Sequence, residues 1–172
     1  MAPQGRALAA TRIDVRIAPT FRAAVRSAWL RATARRVLAV EGVARLAQVG
    51  IVVADDETVR GLNQRFLGRD EPTDVLSFGL AEANEAPFAL PEEEASLGEV
   101  VIAYPTAARQ AEESGRTIEA EVAHLLVHGL LHLLGYDHER PEDEAAMRRR
   151  EEEILTGLPA SVGPVERLHG GL

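Results

Sequence analysis

The chain has 172 residues, of which 46% are hydrophobic, and a formal net charge of −8 at pH 7. This length and composition predict one globular domain over residues 1–172 and leave little room for a second core. Cysteine is absent, which excludes disulfides and thiolate metal ligands, so any zinc site must use nitrogen and oxygen donors.

Two strands, each followed by a helix, are predicted in the first part of the chain. TRIDVRIA (residues 11–18) alternates apolar and polar side chains as a half-buried strand does, and Pro19-Thr20 predicts the start of a helix that runs to about Val40. ARLAQVGIVVAD (residues 44–55) predicts the second strand. Its last residue, Asp55, is placed to cap a helix that reaches Phe66.

The rest of the chain predicts two further strands and three helices. DVLSFGL (residues 74–80) and GEVVIAYP (residues 98–105) are the strand candidates, and residues 81–97, rich in Ala, Glu and Pro, predict an acidic loop excursion between them. Helices are expected at about 105–114, 118–134 and 141–155, before a tail over residues 157–172. This order predicts an α+β fold with a four-stranded mixed sheet and about five helices.

Charge and hydropathy bear on the partners and location of the protein. Residues 1–70 hold 12 arginines against 6 acidic residues, a net +6, whereas residues 71–172 hold 7 arginines against 21 acidic residues, a net −14. The positive first part is compatible with a polyanionic partner despite the overall charge. No stretch reaches the roughly 18 uninterrupted apolar residues of a spanning helix, and no signal peptide is evident. We therefore expect a cytoplasmic protein with no membrane partner.

Four of the five histidines lie in HLLVHGLLHLLGYDHE (residues 124–139). Thr117 is placed to cap the helix that carries them, and Gly135 to end it. Between Val122 and Leu134 every residue except three histidines and Gly129 is apolar. A helix with no solvated face belongs in the centre of the core, with its histidines along one polar stripe.

The spacing of these histidines predicts one metal ion. His128 and His132 are one helical turn apart, the spacing at which two imidazoles reach the same ion. His138 follows the turn at Gly135, which can fold it back over the helix end. Three nitrogen ligands leave a position open for water or substrate, as in a catalytic zinc site. The alternative, core histidines satisfied by hydrogen bonds, fits a single histidine better than three at this spacing.

Two neighbours of these histidines are expected to support the site. His124 extends the stripe by a turn, but each i+4 step rotates by about 40°, so we place it beside the site or in the core rather than among the ligands. Asp137 is adjacent to His138 and is expected to orient an imidazole through its second nitrogen. An aspartate facing water at the helix end is the alternative.

The spacing HxxxHxxGxxH also coincides with the metal-binding half of the metzincin protease signature, HExxHxxGxxH. The general base of that motif follows its first histidine, and here that residue is Gly129, which cannot accept a proton. A metallopeptidase that lacks the usual glutamate remains an alternative function.

HGLLHLLGYDH (residues 128–138) resembles the signature of the YbeY endoribonucleases, and PTDVLSF (72–78) and LGEVVI (97–102) are similar to the family's other two blocks. The resemblance covers most of residues 45–140. It implies a single metal-dependent hydrolase domain with zinc on His128, His132 and His138. It further implies cleavage of single-stranded RNA near the 3′ end of small-subunit ribosomal RNA, ribosome quality control, and the small subunit or its proteins as partners.

Two departures from the family pattern bear on catalysis more than on metal binding. Many members have an arginine in a YRG triplet, where this chain has FLG and therefore Leu67. Arg65 and Arg69 flank that position without occupying it. Glu99 replaces the aspartate of the family's GDI triplet. A mainly binding ribosome-assembly factor with little nuclease activity is therefore a further alternative.

The expected contacts to RNA come from arginines and from the third strand. Arg60, Arg65 and Arg69 are candidates for holding the phosphate backbone, with a solvated helix face as the alternative. Ser77, on the strand expected to form one wall of the groove, is a further candidate for binding substrate. The acidic runs Glu92–Glu94 and Glu151–Glu153 are expected to be solvated surface.

Overall fold

The computed structural model describes residues 11–43, 47–79, 95–136 and 139–158. Within these ranges the chain forms strands β1 (Arg12–Ile17), β2 (Ala47–Ala54), β3 (Val75–Phe78) and β4 (Ala95–Ala103), and helices α1 (Ser27–Val40), α2 (Asp56–Leu67), α3 (Tyr104–Ser114), α4 (Ile118–Leu133) and α5 (Pro141–Thr156). None of the helices in these ranges is long and apolar enough to cross a membrane.

The strands form one mixed sheet in the order β1-β2-β4-β3. β1 pairs with β2 and β2 with β4 in parallel, whereas the edge strand β3 pairs with β4 in the antiparallel direction. The predicted α+β fold with a four-stranded mixed sheet, five helices and a central histidine-bearing helix is confirmed.

Side-chain alternation along the strands divides the apolar residues between the two faces of the sheet. Val49, Ile51 and Val53 of β2 belong to the larger cluster, which also includes residues of α1, α4 and α5. Val52 and Ala54 belong to the smaller cluster, with residues of α2. Helix α4 supplies more of the larger cluster than any other described helix, because its apolar residues surround most of its circumference.

The predicted helix start at Pro19 is wrong. Pro19 begins only a short 3-10 helix, Pro19–Phe21, and α1 begins at Ser27. Phe21, the last residue of the 3-10 helix, stacks on Tyr104 with ring centroids 4.8 Å apart. Val25, between this helix and α1, is buried. These long-range contacts override the local signal of the proline.

Strand β4 is longer at its beginning than predicted. It starts at Ala95, so residues 95–97 belong to the strand and not to the predicted excursion, and it ends at Ala103 because α3 starts at Tyr104. The remainder of the excursion, residues 81–94, lies outside the described residues, as does the tail beyond residue 158.

The buried residue Glu99 lies on the α2 side of the sheet. Only 1% of it is exposed, and neither carboxylate oxygen has a hydrogen-bond partner among the residues that the structure describes. Gly50, opposite it on β2, leaves room for the side chain: a Cβ there would lie 3.0 Å from Cγ of Glu99. Burial raises the pKa of Glu99 to about 7, against an opposing effect of the positive charge of Arg16.

The raised pKa predicts how Glu99 affects stability. Because the folded protein favours the protonated carboxyl, the raised pKa of Glu99 contributes to the free energy of unfolding. This contribution is complete below the ordinary pKa of 4.5 and is lost as the pH rises through 7. Glu99→Gln should therefore gain stability relative to the wild type as the pH rises, by about 3 kcal/mol at 1.36 kcal/mol per pKa unit. Urea unfolding of both proteins from about pH 5 to pH 8 measures this difference. The exposed Glu113→Gln serves as control, and equal behaviour of the two variants would contradict the prediction.

Candidate metal centre

Helix α4 begins and ends at the residues that the sequence predicts. The Thr117 hydroxyl oxygen accepts a hydrogen bond from the backbone N–H of Ala120 (3.1 Å). At the other end Gly135 has a φ of 100°, and the Tyr136 N–H donates to the carbonyl of Leu131 (3.0 Å). This turn closes the helix just after His132 and brings the Tyr136 backbone back over its last turn.

The orientation of α4 depends on Gly129. A Cβ at this residue would lie 2.7 Å from Cγ1 of Val100 and 3.1 Å from Oγ of Ser77, so the helix backbone lies directly on β4 and β3. The Ser77 hydroxyl donates to the Gly129 carbonyl (3.0 Å) at the same contact. The residue after His128 therefore faces the sheet, and a glutamate in its place could not be accommodated without moving the helix.

His128 and His132 bring their Nε2 atoms to 3.1 Å from each other. The Nδ1 atom of His128 lies 2.6 Å from Oε1 of Glu151, and that of His132 lies 3.0 Å from the carbonyl oxygen of Tyr136. Carboxylate and carbonyl oxygens only accept, so both Nδ1 atoms carry hydrogen. When both rings are neutral, neither Nε2 atom carries a hydrogen. The lone pairs of the two Nε2 atoms then face each other.

This donor set fits a metal ion. Two lone pairs at this distance require a proton or a metal cation between them, and two nitrogens bound to one tetrahedral zinc lie about 3.3 Å apart. A metal-bound histidine usually donates a hydrogen bond from its other ring nitrogen to a carboxylate or a carbonyl. The predicted third ligand, His138, and its neighbour Asp137 lie outside the described residues. Within the described ranges no group of three ligating side chains is arranged to hold a metal.

Glu151 is a site residue that the sequence analysis missed. Only 7% of it is exposed, so the expectation of solvated surface is wrong for this residue, whereas Glu152 and Glu153 are exposed. Its other oxygen, Oε2, lies 3.4 Å from Nε2 of His124. The spacing of the buried residues Met147, Glu151 and Ile154 along α5 is the signal that could have found it.

The contacts of Glu151 with His124 and His128 stabilise its ionised carboxylate. Burial alone would raise the pKa of Glu151, but the hydrogen bonds from His124 and His128 hold it well below its ordinary value. The hydrogen bond to Glu151 raises the pKa of His124, against the effect of burial. His124 therefore lies beside the histidine pair and contacts Glu151; its supporting role stays a prediction.

An open groove of about 460 Å³ runs beside the histidine pair. Its lining includes His128 and His132 from α4, Ser77 from β3, Arg69, and the exposed side chain of Leu67. The hydroxyl of Ser77 is already engaged with the Gly129 carbonyl, so this residue joins the groove wall to the helix.

The three candidate arginines have different surroundings. Arg69 lines the groove. Arg60 forms an exposed ion pair with Asp70 (2.9 Å), and the guanidinium of Arg65 lies 5.2 Å from the centre of the Phe66 ring. Neither Arg60 nor Arg65 lines the groove.

The close packing at Gly129 predicts a clear effect of an added methyl group. Gly129→Ala should lower the free energy of unfolding by about 1–3 kcal/mol, because Val100 or the helix must move. Gly61→Ala is the matched control: Gly61 also lies within a helix, and a Cβ added there would have nothing within 4 Å, so alanine should stabilise by up to about 1 kcal/mol. Chemical denaturation of both variants measures the contrast. Similar stability changes would contradict the close packing of Gly129 on the sheet.

Fold and site together define an α+β protein with a histidine pair on its central helix, beside an open groove. The family model described as Endoribonuclease YbeY matches residues 18–159 of this chain. The chain therefore belongs to the YbeY family of endoribonucleases, as the resemblance of its motifs predicts.

Individual relatives agree with this assignment. The chain is 45% identical over 150 residues to Endoribonuclease YbeY of Roseiflexus sp. (strain RS-1), covering 87% of this chain and 94% of the relative. It is 51% identical over 120 residues to Endoribonuclease YbeY of Desulforamulus reducens, covering 69% and 76% of the two chains. The solution structure of TM1509 from Thermotoga maritima is similar with a TM-score of 0.56 and 26% identity, covering 83% of this chain and 86% of that one.

Proposed function

We propose that this chain is a zinc-dependent endoribonuclease that cleaves single-stranded RNA during ribosomal-RNA maturation, near the 3′ end of the small-subunit RNA, and takes part in ribosome quality control. The observation that carries the proposal is the convergence of the Nε2 atoms of His128 and His132 on the wall of an open groove. Membership of the family supports the endoribonuclease activity. The proposed location is the cytoplasm, and the proposed partners are ribosomal RNA and the small subunit or its proteins.

The proposed ligands are His128, His132 and His138. A zinc ion bound there would polarise the scissile phosphate and lower the pKa of a water molecule. The protein's contribution is orientation: Glu151 and the Tyr136 carbonyl hold the two described rings through their Nδ1 atoms. Rings held in this way lose little conformational freedom when a cation binds.

The groove is proposed to hold the RNA backbone next to the histidine pair. Arg69 lines the groove and is proposed to contact a phosphate, while Glu71 and Asp74 in the same lining oppose the approach of further negative charge. Because the pair lies in a groove, a flexible strand that can bend into it is a better substrate than a rigid duplex. Ser77 forms part of the wall, and Arg60 and Arg65 are proposed as outer contacts to the strand.

The alternatives differ in how well the geometry supports them. A metallopeptidase of the metzincin kind is disfavoured, because the position of its general base is occupied by Gly129 against Val100. A mainly binding factor is favoured by a specific observation: Leu67, at the position where the motif resemblance implies an arginine, is 41% exposed and lines the groove. An assay of RNA cleavage separates this alternative from the proposed nuclease.

The proposed nuclease is tested by incubating zinc-loaded protein with a labelled single-stranded RNA and with its duplex. The wild type should cleave the single strand preferentially, and His132→Ala, purified in parallel to expose contaminating nuclease, should lose at least about a hundredfold in rate. Equal cleavage by both proteins, or none by the wild type with zinc bound, would contradict the proposal. In the second case binding to the small ribosomal subunit becomes the next assay.

The position of Arg69 predicts the salt dependence of RNA binding. Arg69→Gln should reduce the slope of log K against log salt concentration by about 0.7, the value for one phosphate contact on a single strand. Arg148→Gln is the control, because Arg148 is an exposed arginine paired with Glu144 on α5 (2.9 Å) and is not part of the groove lining, and it should leave the slope unchanged. Fluorescence anisotropy with a non-cleavable RNA measures both slopes. An unchanged slope for Arg69→Gln would remove this residue from the binding site.

A further inference from the structure

We propose that Glu151 is the positioning residue of the metal centre: its carboxylate holds His128 as the Nδ1–H tautomer and uses its second oxygen to hold His124 outside the ligand set. This inference rests on the proposed metal centre. Nothing in the histidine motif itself points to Glu151, which lies 23 residues from His128 on a different helix.

The contact to His128 has the geometry of a strong, charge-assisted hydrogen bond. The distance from Nδ1 to Oε1 of Glu151 is 2.6 Å, shorter than the 3.0 Å from Nδ1 of His132 to its carbonyl partner. A carboxylate that accepts from Nδ1 fixes the tautomer, directs the Nε2 lone pair toward His132 and raises the basicity of that nitrogen. His128 therefore depends on a side chain for its orientation, whereas His132 depends on its own helix terminus.

Glu151 is not itself in position to share an ion with both rings. Its oxygen contacts Nδ1 of His128, whereas the two rings approach each other through their Nε2 atoms. The carboxylate thus lies on the opposite edge of the imidazole from the point where the lone pairs meet. Its effect on a metal ion must pass through His128.

The second oxygen of Glu151 contacts His124, which its helical spacing already places beside the pair. His124 places Nε2, the atom that a ligand would offer, 3.4 Å from Oε2 of Glu151. Its ring centroid lies 6.2 Å from that of His128, compared with 4.6 Å between His128 and His132. One carboxylate therefore contacts two histidines on successive turns of α4, and only His128 keeps Nε2 directed at His132.

The carboxylate is held in place by the packing of α5. Met147 and Ile154, one turn before and one turn after Glu151, are 2% and 0% exposed and belong to the core. Arg150 adds an ion pair with Glu41 at the end of α1 (2.7 Å). Because these contacts do not involve the histidines, Glu151 is positioned before any ion binds, as a preorganised site requires.

The test compares zinc affinity in Glu151→Gln and Glu152→Gln. Both substitutions remove one negative charge from adjacent positions of α5, but Glu152 is exposed. Titration with zinc chloride against a chelator of known affinity should give binding about 10- to 100-fold weaker for Glu151→Gln, and within about twofold of the wild type for Glu152→Gln. Equal affinities for the two variants would overturn the role of Glu151 while leaving the metal centre in place.

A second measurement reports on the tautomer alone, and its main result comes from the wild type. Two-bond ¹⁵N–¹H spectra of the metal-free wild type should show a hydrogen on Nδ1 of His128. Glu151→Gln should show a mixture, since an amide can donate as well as accept. The Nε2–H form in the wild type would overturn the proposal even if Glu151→Gln failed to fold.

Neither readout involves RNA, so both are independent of nuclease activity. A wild type that binds no zinc would overturn the metal centre and this inference together. Zinc binding with weakened affinity in Glu151→Gln would support the inference whether or not the protein cleaves RNA.

Discussion

The contact between Gly129 and the sheet is the constraint on which the rest of the site depends. Because residue 129 has no side chain, α4 approaches β4 until its backbone meets Val100 and Ser77. This contact fixes the rotation of the helix about its axis. The stripe that carries His128 and His132 then lies beside the groove bordered by β3, and the apolar remainder of the helix fills the larger core.

The two histidines of the pair have hydrogen-bond partners on the side away from each other, which helps a nearly apolar helix to carry them. The outer nitrogen of each histidine in the pair has an acceptor, one from α5 and one from the turn after α4. A buried carboxylate without such partners would be costly, and Glu99 shows the consequence, since burial raises its pKa to about 7. Glu151, with two histidines, is instead held ionised.

Much of the fold follows from local sequence signals, and the exceptions are non-local. Asp55 accepts a hydrogen bond from the N–H of Thr58 (2.7 Å), and Thr117 caps α4 in the same way, because capping needs only residues within one turn. The predicted helix at Pro19 is wrong, because stacking between Phe21 and Tyr104 joins residues far apart in the sequence.

The same distinction applies to the site. The spacing of His128 and His132 predicts their convergence, since both lie on one face of one helix. It could not supply Glu151, whose role depends on how α5 packs against α4. Nor could the spacing show which arginine lies in the groove. Arg60 pairs with Asp70, whereas Arg69 lines the groove, and both facts depend on the folded structure.

X-ray absorption spectroscopy of the zinc-loaded wild type tests most directly whether this histidine pair belongs to a metal centre. We expect nitrogen and oxygen neighbours at about 2.0–2.1 Å, with multiple scattering from imidazole rings that diminishes in His132→Ala. A spectrum without imidazole scattering, or one unchanged by His132→Ala, would contradict a metal centre on these rings.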